Sequence, residues 1–176
     1  MNEILNASEM KRIIMRMYHE FVEDVQDLKK VSLIGIRSGG VFLAERLKQY
    51  LKEFDDLQVD MGFLDITLYR DDLSRLGYLP TLKKTDIQFS IDNRIILLVD
   101  DVIYSGRTIR AAMDALIDFG RPAVIKLAVL IDRGGRELPI QPDYTGRKIT
   151  AKKNEIIDVH FKEQGYKEDC VVLRKK

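Results

Sequence analysis

Three short, unbroken runs of apolar and β-branched residues punctuate the chain: VSLIGI at 31–36, IILLVD at 95–100 and VIKLAVLID at 124–132. A strand with one face in water alternates apolar and polar residues, whereas a run that is apolar almost throughout is buried on both faces. Between these runs lie segments of helical spacing, VFLAERLKQYL at 41–51 and the stretch from about Thr108 to Phe119. Doubly buried strands that alternate with helices predict an α/β fold, a parallel sheet covered by helices on both faces.

The remaining segments fit around that sheet. Met10, Ile13, Ile14, Met17, Phe21, Val22, Val25 and Leu28 recur at helical spacing, with Ser8 as the predicted N-cap. VDMGFLDIT (59–67) reads as a further strand, and EIIDVHF (155–161) and CVVL (170–173) as two short strands paired at one edge. Residues 68–89 are polar and irregular, and a segment of that length inside a compact domain is usually functional. At 176 residues the chain is expected to be one domain, and its net charge of +1 creates no overall field for nucleic acid or membrane. The single cysteine, Cys170, fits a reducing compartment. The N-terminus MNEILNASEMKR lacks a basic segment followed by an apolar run, so no signal peptide is expected, and no apolar run nears the ~20 residues that span a bilayer. A cytoplasmic location is expected.

In an open parallel sheet, ligands bind where strands end and helices begin. Three polar, glycine-containing loops follow the three runs: RSGG (37–40), DDVIYSGRT (100–108) and DRGGREL (132–138). In the second, Gly106 permits close approach to backbone amides at a helix start, which forms an anion cradle. Ser105 and Thr108 add hydroxyl donors and Arg107 a cation. Asp100 and Asp101 repel phosphate, so they suit ligand hydroxyls or a divalent metal shared with a second phosphate. A ligand with a phosphate at one end and vicinal hydroxyls nearby is a ribose 5-phosphate. The loop has neither the Gly-Lys-Ser/Thr ending of a Walker A motif nor the three glycines of a dinucleotide fingerprint.

LLVDDVIYSGRT (97–108) resembles the phosphoribosyl pyrophosphate (PRPP) motif of type I phosphoribosyltransferases: a hydrophobic strand, two acids and a small loop ending in threonine. DITLYRDDLS (65–74), VDDVIYSGRTIRAAMDAL (99–116), FGRPAVIKLAVLIDRGGRELPI (119–140) and PDYTG (142–146) narrow the resemblance to the PyrR family. That family contains uracil phosphoribosyltransferases, some of which also attenuate the pyrimidine operon by binding its mRNA. The resemblance runs through nearly the whole chain. It implies the type I phosphoribosyltransferase fold over 1–176, a central parallel sheet flanked by helices, with a flexible loop at about 68–90 and a small base-binding hood from about 132–176. It further implies conversion of uracil and PRPP to UMP and pyrophosphate, Mg²⁺ held mainly by substrate rather than by protein ligands, and a homodimer or larger homo-oligomer.

The resemblance also distributes roles. Asp100 and Asp101 would contact the ribose hydroxyls, and Val102, Ile103, Tyr104, Ser105, Gly106, Arg107 and Thr108 would surround the 5-phosphate. Arg37, Ser38 and Gly39, followed by Gly40, match the pyrophosphate loop. Many relatives carry Thr-Arg where this chain has Ser38-Gly39, which removes one cationic contact. Arg70, with Tyr69, belongs to the flexible loop that would close over the site and exclude water, and is grouped with the acids as catalytic. Arg133 and a backbone position near Ile157 would contact the nucleotide.

Two other readings of the same residues stay open. One is an mRNA-binding attenuator with residual enzyme activity. Lys11, Arg12, Arg16 and His19 offer a basic stripe, but Glu20, Glu23 and Asp24 follow it, and Gly135 and Gln141 stand where attenuating relatives tend to carry His and Arg. Weak or absent RNA binding is therefore expected. The other is a purine substrate. Purine-salvage relatives commonly carry Asp at the position of Tyr104, near the base as a possible general base. A phenol that titrates near ~10 does not serve that role at neutral pH, so the tyrosine favours a pyrimidine.

Overall fold

The computed structural model describes residues 2–69 and 85–175. In chain order the elements are β1 (Asn2–Leu5), α1 (Ala7–Asp24), β2 (Val31–Ile36), α2 (Gly39–Asp55), β3 (Asp60–Leu64), β4 (Ile95–Ile103), α3 (Arg107–Ile117), β5 (Val124–Asp132), β6 (Tyr144–Lys148), β7 (Glu155–His160) and β8 (Cys170–Lys175). Five strands form one sheet of order β3-β2-β4-β5-β6, parallel throughout, with β4 at its centre.

Strand alternation sorts the core into two layers. Val31, Leu33, Leu97 and Val99 pack with the buried residues of α1 and α2, while Ile34, Ile36, Ile96 and Leu98 pack with those of α3. Both faces of β2 and β4 are thus apolar because both are covered. Each such side chain contributes about 1.5–3 kcal/mol on burial.

Several boundaries differ from the sequence expectation for local reasons. Asn6, not Ser8, caps α1: its side chain accepts the Glu9 N–H at 3.0 Å, and the Glu9 carboxylate accepts the Asn6 N–H at 3.0 Å. Asn-x-x-Glu is a capping box, so Ser8 falls inside the first turn. α2 extends beyond its apolar stripe, to 39–55, and β4 runs three residues past Asp100, to Ile103. β3 stops at Leu64 and α3 spans Arg107–Ile117. β6, of sequence YTGRK, is polar and glycine-containing enough to read as a turn. The two C-terminal strands do pair, but off the parallel sheet: with β1 they form a separate antiparallel sheet of order β1-β8-β7.

One side chain fastens this small sheet to the core. Arg46 on α2 donates to both Asp169 oxygens at 2.8 Å and to Glu163 at 2.7 and 2.9 Å. Its guanidinium also lies 5.0 Å from the centre of the Phe161 ring. Burial works against the arginine's charge, but the two carboxylates outweigh it and hold its pKa above the usual range. Among the described residues no helix is long and apolar enough to cross a membrane.

Candidate active site

The central strand delivers the two acids. Asp100 is only 5% exposed. Its Oδ1 accepts the Asp101 N–H at 3.0 Å, and Asp101 Oδ1 accepts the Val102 N–H at 2.9 Å. Burial pushes the Asp100 carboxyl well above the usual carboxylate range, and the neighbouring charge of Asp101 adds to it. Burial also raises Asp101, against the pull of the Val102 N–H. Two adjacent carboxylates sunk in a protein are costly until a hydroxyl or a cation meets them, a pattern characteristic of functional sites.

Beyond the acids the chain turns at Gly106, whose φ of +91° favours glycine, and enters α3. Gly106 brings no side chain to cap the helix, and Ser105 Oγ accepts the Arg107 N–H at 3.3 Å. The positive end of α3 therefore faces the loop, as an anion site requires. Arg107 is exposed and pairs with Glu137 at 2.7 Å.

The 37–40 loop presses on the acids from the side. The Arg37–Ser38 peptide is cis, and Ser38 is the N-cap of α2. A Cβ at position 39 would collide with the Asp101 carboxylate, and one at position 40 with the Val99 carbonyl. Glycine at both positions is what lets the start of α2 lie against β4. The Arg37 N–H donates to the Leu64 carbonyl at 3.0 Å, and its guanidinium lies 5.2 Å from the centre of the Phe63 ring. The buried Arg37 Nε has no hydrogen-bond partner among the described residues.

The third loop builds a cleft. Asp132, at the end of β5, is buried. Burial alone would raise its pKa, but the Arg136 guanidinium at 2.9 Å and the Gly134 N–H at 2.9 Å hold it below the usual range. Arg136 also donates to the carbonyls of Tyr104 at 2.9 Å and Ile140 at 2.8 Å, so it fastens this loop to the second one. The Glu137 and Leu138 N–H groups add bonds to the Ser105 carbonyl at 2.9 and 3.1 Å. Arg133 is 8% exposed and lies 3.8 Å from the centre of the Tyr104 ring. It donates to the carbonyls of Lys152 at 2.9 Å and Glu155 at 3.0 Å. Between these walls lies a cleft of 220 Å³, lined by Val102, Tyr104, Arg133, Glu155, Ile156 and Ile157 among others. A second cleft of 390 Å³ shares Val102 and Ile157 and reaches Asp101. A larger groove of 720 Å³ runs between α2 and β3, past Lys48 and Met61, and holds none of the loop residues.

The structure thus brings Asp101, Val102, Tyr104, Arg133 and Ile157 around two clefts that share Val102 and Ile157, with Gly39 against the Asp101 carboxylate and Asp100 buried beside it. Ser105, Gly106, Arg107 and Thr108 form the turn into α3, and Ile103 is buried beneath it. Arg70 lies outside the described residues. The Tyr69 hydroxyl bonds Asp118, just past the far end of α3 from that turn. Sequence reasoning missed the triple bond set of Arg136 and the Lys152 and Glu155 carbonyls. Backbone acceptors leave no side-chain signature, and an arginine in a charged loop reads as solvated.

A sheet edge where paired acids, a helix N-terminus and a glycine-lined loop converge defines a sugar-phosphate transferase site, and the phosphoribosyl transferase domain family matches residues 1–164. Two curated relatives carry the description bifunctional protein PyrR. The one from Thermus aquaticus is 48% identical over 92% of this chain and 89% of its own length. The one from a Thermoanaerobacter species is 50% identical over 92% and 90%. The crystal structure of the hypoxanthine phosphoribosyltransferase of Trypanosoma cruzi superposes with a TM-score of 0.72 over 100% of this chain and 98% of that one, at 23% identity, a likeness of fold. The chain belongs to the PyrR family of phosphoribosyl transferases.

Proposed function

We propose that the chain transfers the ribose 5-phosphate of PRPP to N1 of uracil, giving UMP and pyrophosphate. The observation that carries this reading is the pair of buried Asp100 and half-buried Asp101, set between the start of α2 and the turn into α3. The turn at 102–108 holds the 5-phosphate, the acids bind the ribose hydroxyls, and the amides of 38–40 receive the pyrophosphate. The base enters the cleft beside Tyr104 and Ile157, where backbone groups read its edge. Uracil N1 is weakly acidic, so the absence of a carboxylate at position 104 is compatible with transfer.

The donor set fits Mg²⁺ shared with substrate. Asp100 and Asp101 supply two hard oxygen-bearing groups whose charge a divalent ion would offset, and substrate oxygens and water would supply its other ligands. When bound, the ion would draw charge from the pyrophosphate as it leaves. The test is pyrophosphate release from PRPP and Mg²⁺ across a panel of bases. Release with uracil and not with hypoxanthine or guanine is the expected result, and no uracil-dependent release overturns the reading. Tyr104→Asp, which restores the residue of purine-salvage enzymes, is expected to gain hypoxanthine turnover. No gain would reduce the tyrosine to packing.

The relatives' description as bifunctional favours a second reading, in which UMP binding regulates attachment to the pyrimidine operon mRNA. The bonding of the basic residues argues for weak attachment. Arg136 spends its donors on Asp132, Tyr104 and Ile140, and Arg16 bonds Glu20 and the Gly146 carbonyl. A mobility-shift titration with the operon leader RNA is expected to show no tight complex. Tight, UMP-stimulated binding would establish the regulator.

A further inference from the structure

We infer that Gly135 is a positioning residue for the nucleotide site, acting through the ring of Tyr104. The inference rests on the uracil reading above and adds a determinant that lies outside the ligand contacts assigned there.

The Tyr104 ring is 41% exposed and forms one wall of the 220 Å³ cleft. Three things fix it. Its carbonyl accepts from Arg136 at 2.9 Å, its face carries the Arg133 guanidinium at 3.8 Å, and its edge lies against Gly135. A Cβ at position 135 would clash with ring atom Cε2 and lie 3.1 Å from Cδ2 and 3.5 Å from Cζ. No rotamer of the added group relieves this, because Cβ is fixed by the backbone, so the ring itself has to move. Moving it separates the ring from Arg133, and a cation over an aromatic face contributes about 0.5–2 kcal/mol. It also shifts one cleft wall against the other, because Arg133 holds the Lys152 and Glu155 carbonyls with the same guanidinium. An absent side chain at 135 therefore sets the width of the cleft.

The loop contains its own control. Gly134 and Gly135 both adopt left-handed backbone, with φ of +71° and +81°, so alanine carries a similar conformational cost at each. At Gly134 nothing among the described residues lies within 4 Å of an added Cβ. Gly134→Ala thus reports strain alone, and Gly135→Ala reports strain plus displacement of the ring.

The experiment measures UMP affinity by calorimetry for the wild-type chain, Gly134→Ala, Gly135→Ala, Tyr104→Ala and the Tyr104→Ala/Gly135→Ala double variant. Gly135→Ala is expected to weaken UMP binding by about tenfold. Gly134→Ala should stay within about twofold of wild type, and Gly135→Ala within about twofold when added to Tyr104→Ala. In steady-state assays the KM for uracil should rise with Gly135→Ala while that for PRPP stays unchanged. Should Gly135→Ala fail to fold, Gly135→Asn keeps the same Cβ at a position where asparagine tolerates left-handed backbone. Equal losses at 134 and 135, or additive effects of 104 and 135, overturn the inference while wild-type UMP binding stands. Absence of UMP binding by the wild-type chain overturns the uracil reading itself.

Discussion

Asp100→Asn combined with Asp101→Asn is expected to lower kcat/KM for PRPP by at least about 100-fold and, at the same time, to raise the melting temperature. The two effects have one cause. Burial raises the pKa of both carboxyl groups, and the charge of Asp101 raises that of Asp100 further. For such an acid the folded state binds more protons than the unfolded state between the ordinary carboxylate pKa and the raised one. Stability therefore falls as pH rises through that window, and at neutral pH the pair weighs against folding. Asparagine keeps Oδ1 as acceptor for the Asp101 and Val102 N–H groups and removes the charge. A gain of about 1–2 kcal/mol corresponds to a rise of roughly 2–8 °C in a domain of this size. Calorimetric melts at neutral pH and near pH 4 check the sign, because the gain should shrink as the wild-type acids protonate. Unchanged turnover would refute the ribose role, and a lower melting temperature would refute the charge cost.

Gly40→Ala is expected to do the reverse, losing stability and activity together. Helix propensity alone predicts a gain of about 0.5–1 kcal/mol, since alanine is the better residue within α2. The structure predicts the opposite sign. The added Cβ would lie 2.9 Å from the Asp100 Cα and 3.0 Å from the Val99 carbonyl carbon, and closer still to the Val99 oxygen. These are backbone atoms of the central strand, with no rotamer to give way. Overpacking of this kind costs about 3 kcal/mol, which lowers the melting temperature by roughly 6–12 °C. The start of α2 must back away from β4, taking Arg37, Ser38 and Gly39 with it. A shift of about 1 Å in a positioning loop costs about 100-fold in turnover. A melt and a PRPP titration on the same preparation test both parts; an unchanged or raised melting temperature would sink the argument.

Much of this was legible in the sequence because the signal was local. VSLIGI and VIKLAVLID match β2 and β5 residue for residue, since a strand covered on both faces has few polar positions to blur it. The acids, the Gly106 turn and the 37–40 loop follow directly from strands that end and helices that begin. What stayed hidden depends on the partner. β1 is four residues long and β6 is YTGRK; each is a strand only because β8 or β5 runs alongside. The tie from Arg46 to Glu163 and Asp169 spans more than a hundred positions. The role of Gly135 depends on a ring brought from position 104. No periodicity or spacing reports such pairs.

The pairing of β1 with β8, in which Asn2 stands opposite Leu173, has a consequence for synthesis. A chain emerging from the ribosome exposes its beginning first. By Lys148 every strand of the parallel sheet has been made, and with them the acids and the turn into α3. β1 meanwhile waits for the last strand, and Arg46 waits for Glu163 and Asp169. A nascent chain therefore owns the sugar-phosphate half of its site well before it owns the wall carried by β7. On the uracil reading proposed above, competence to bind a base arrives only with β7, and a chain that stops before it has a sheet with acids and no wall for a nucleobase.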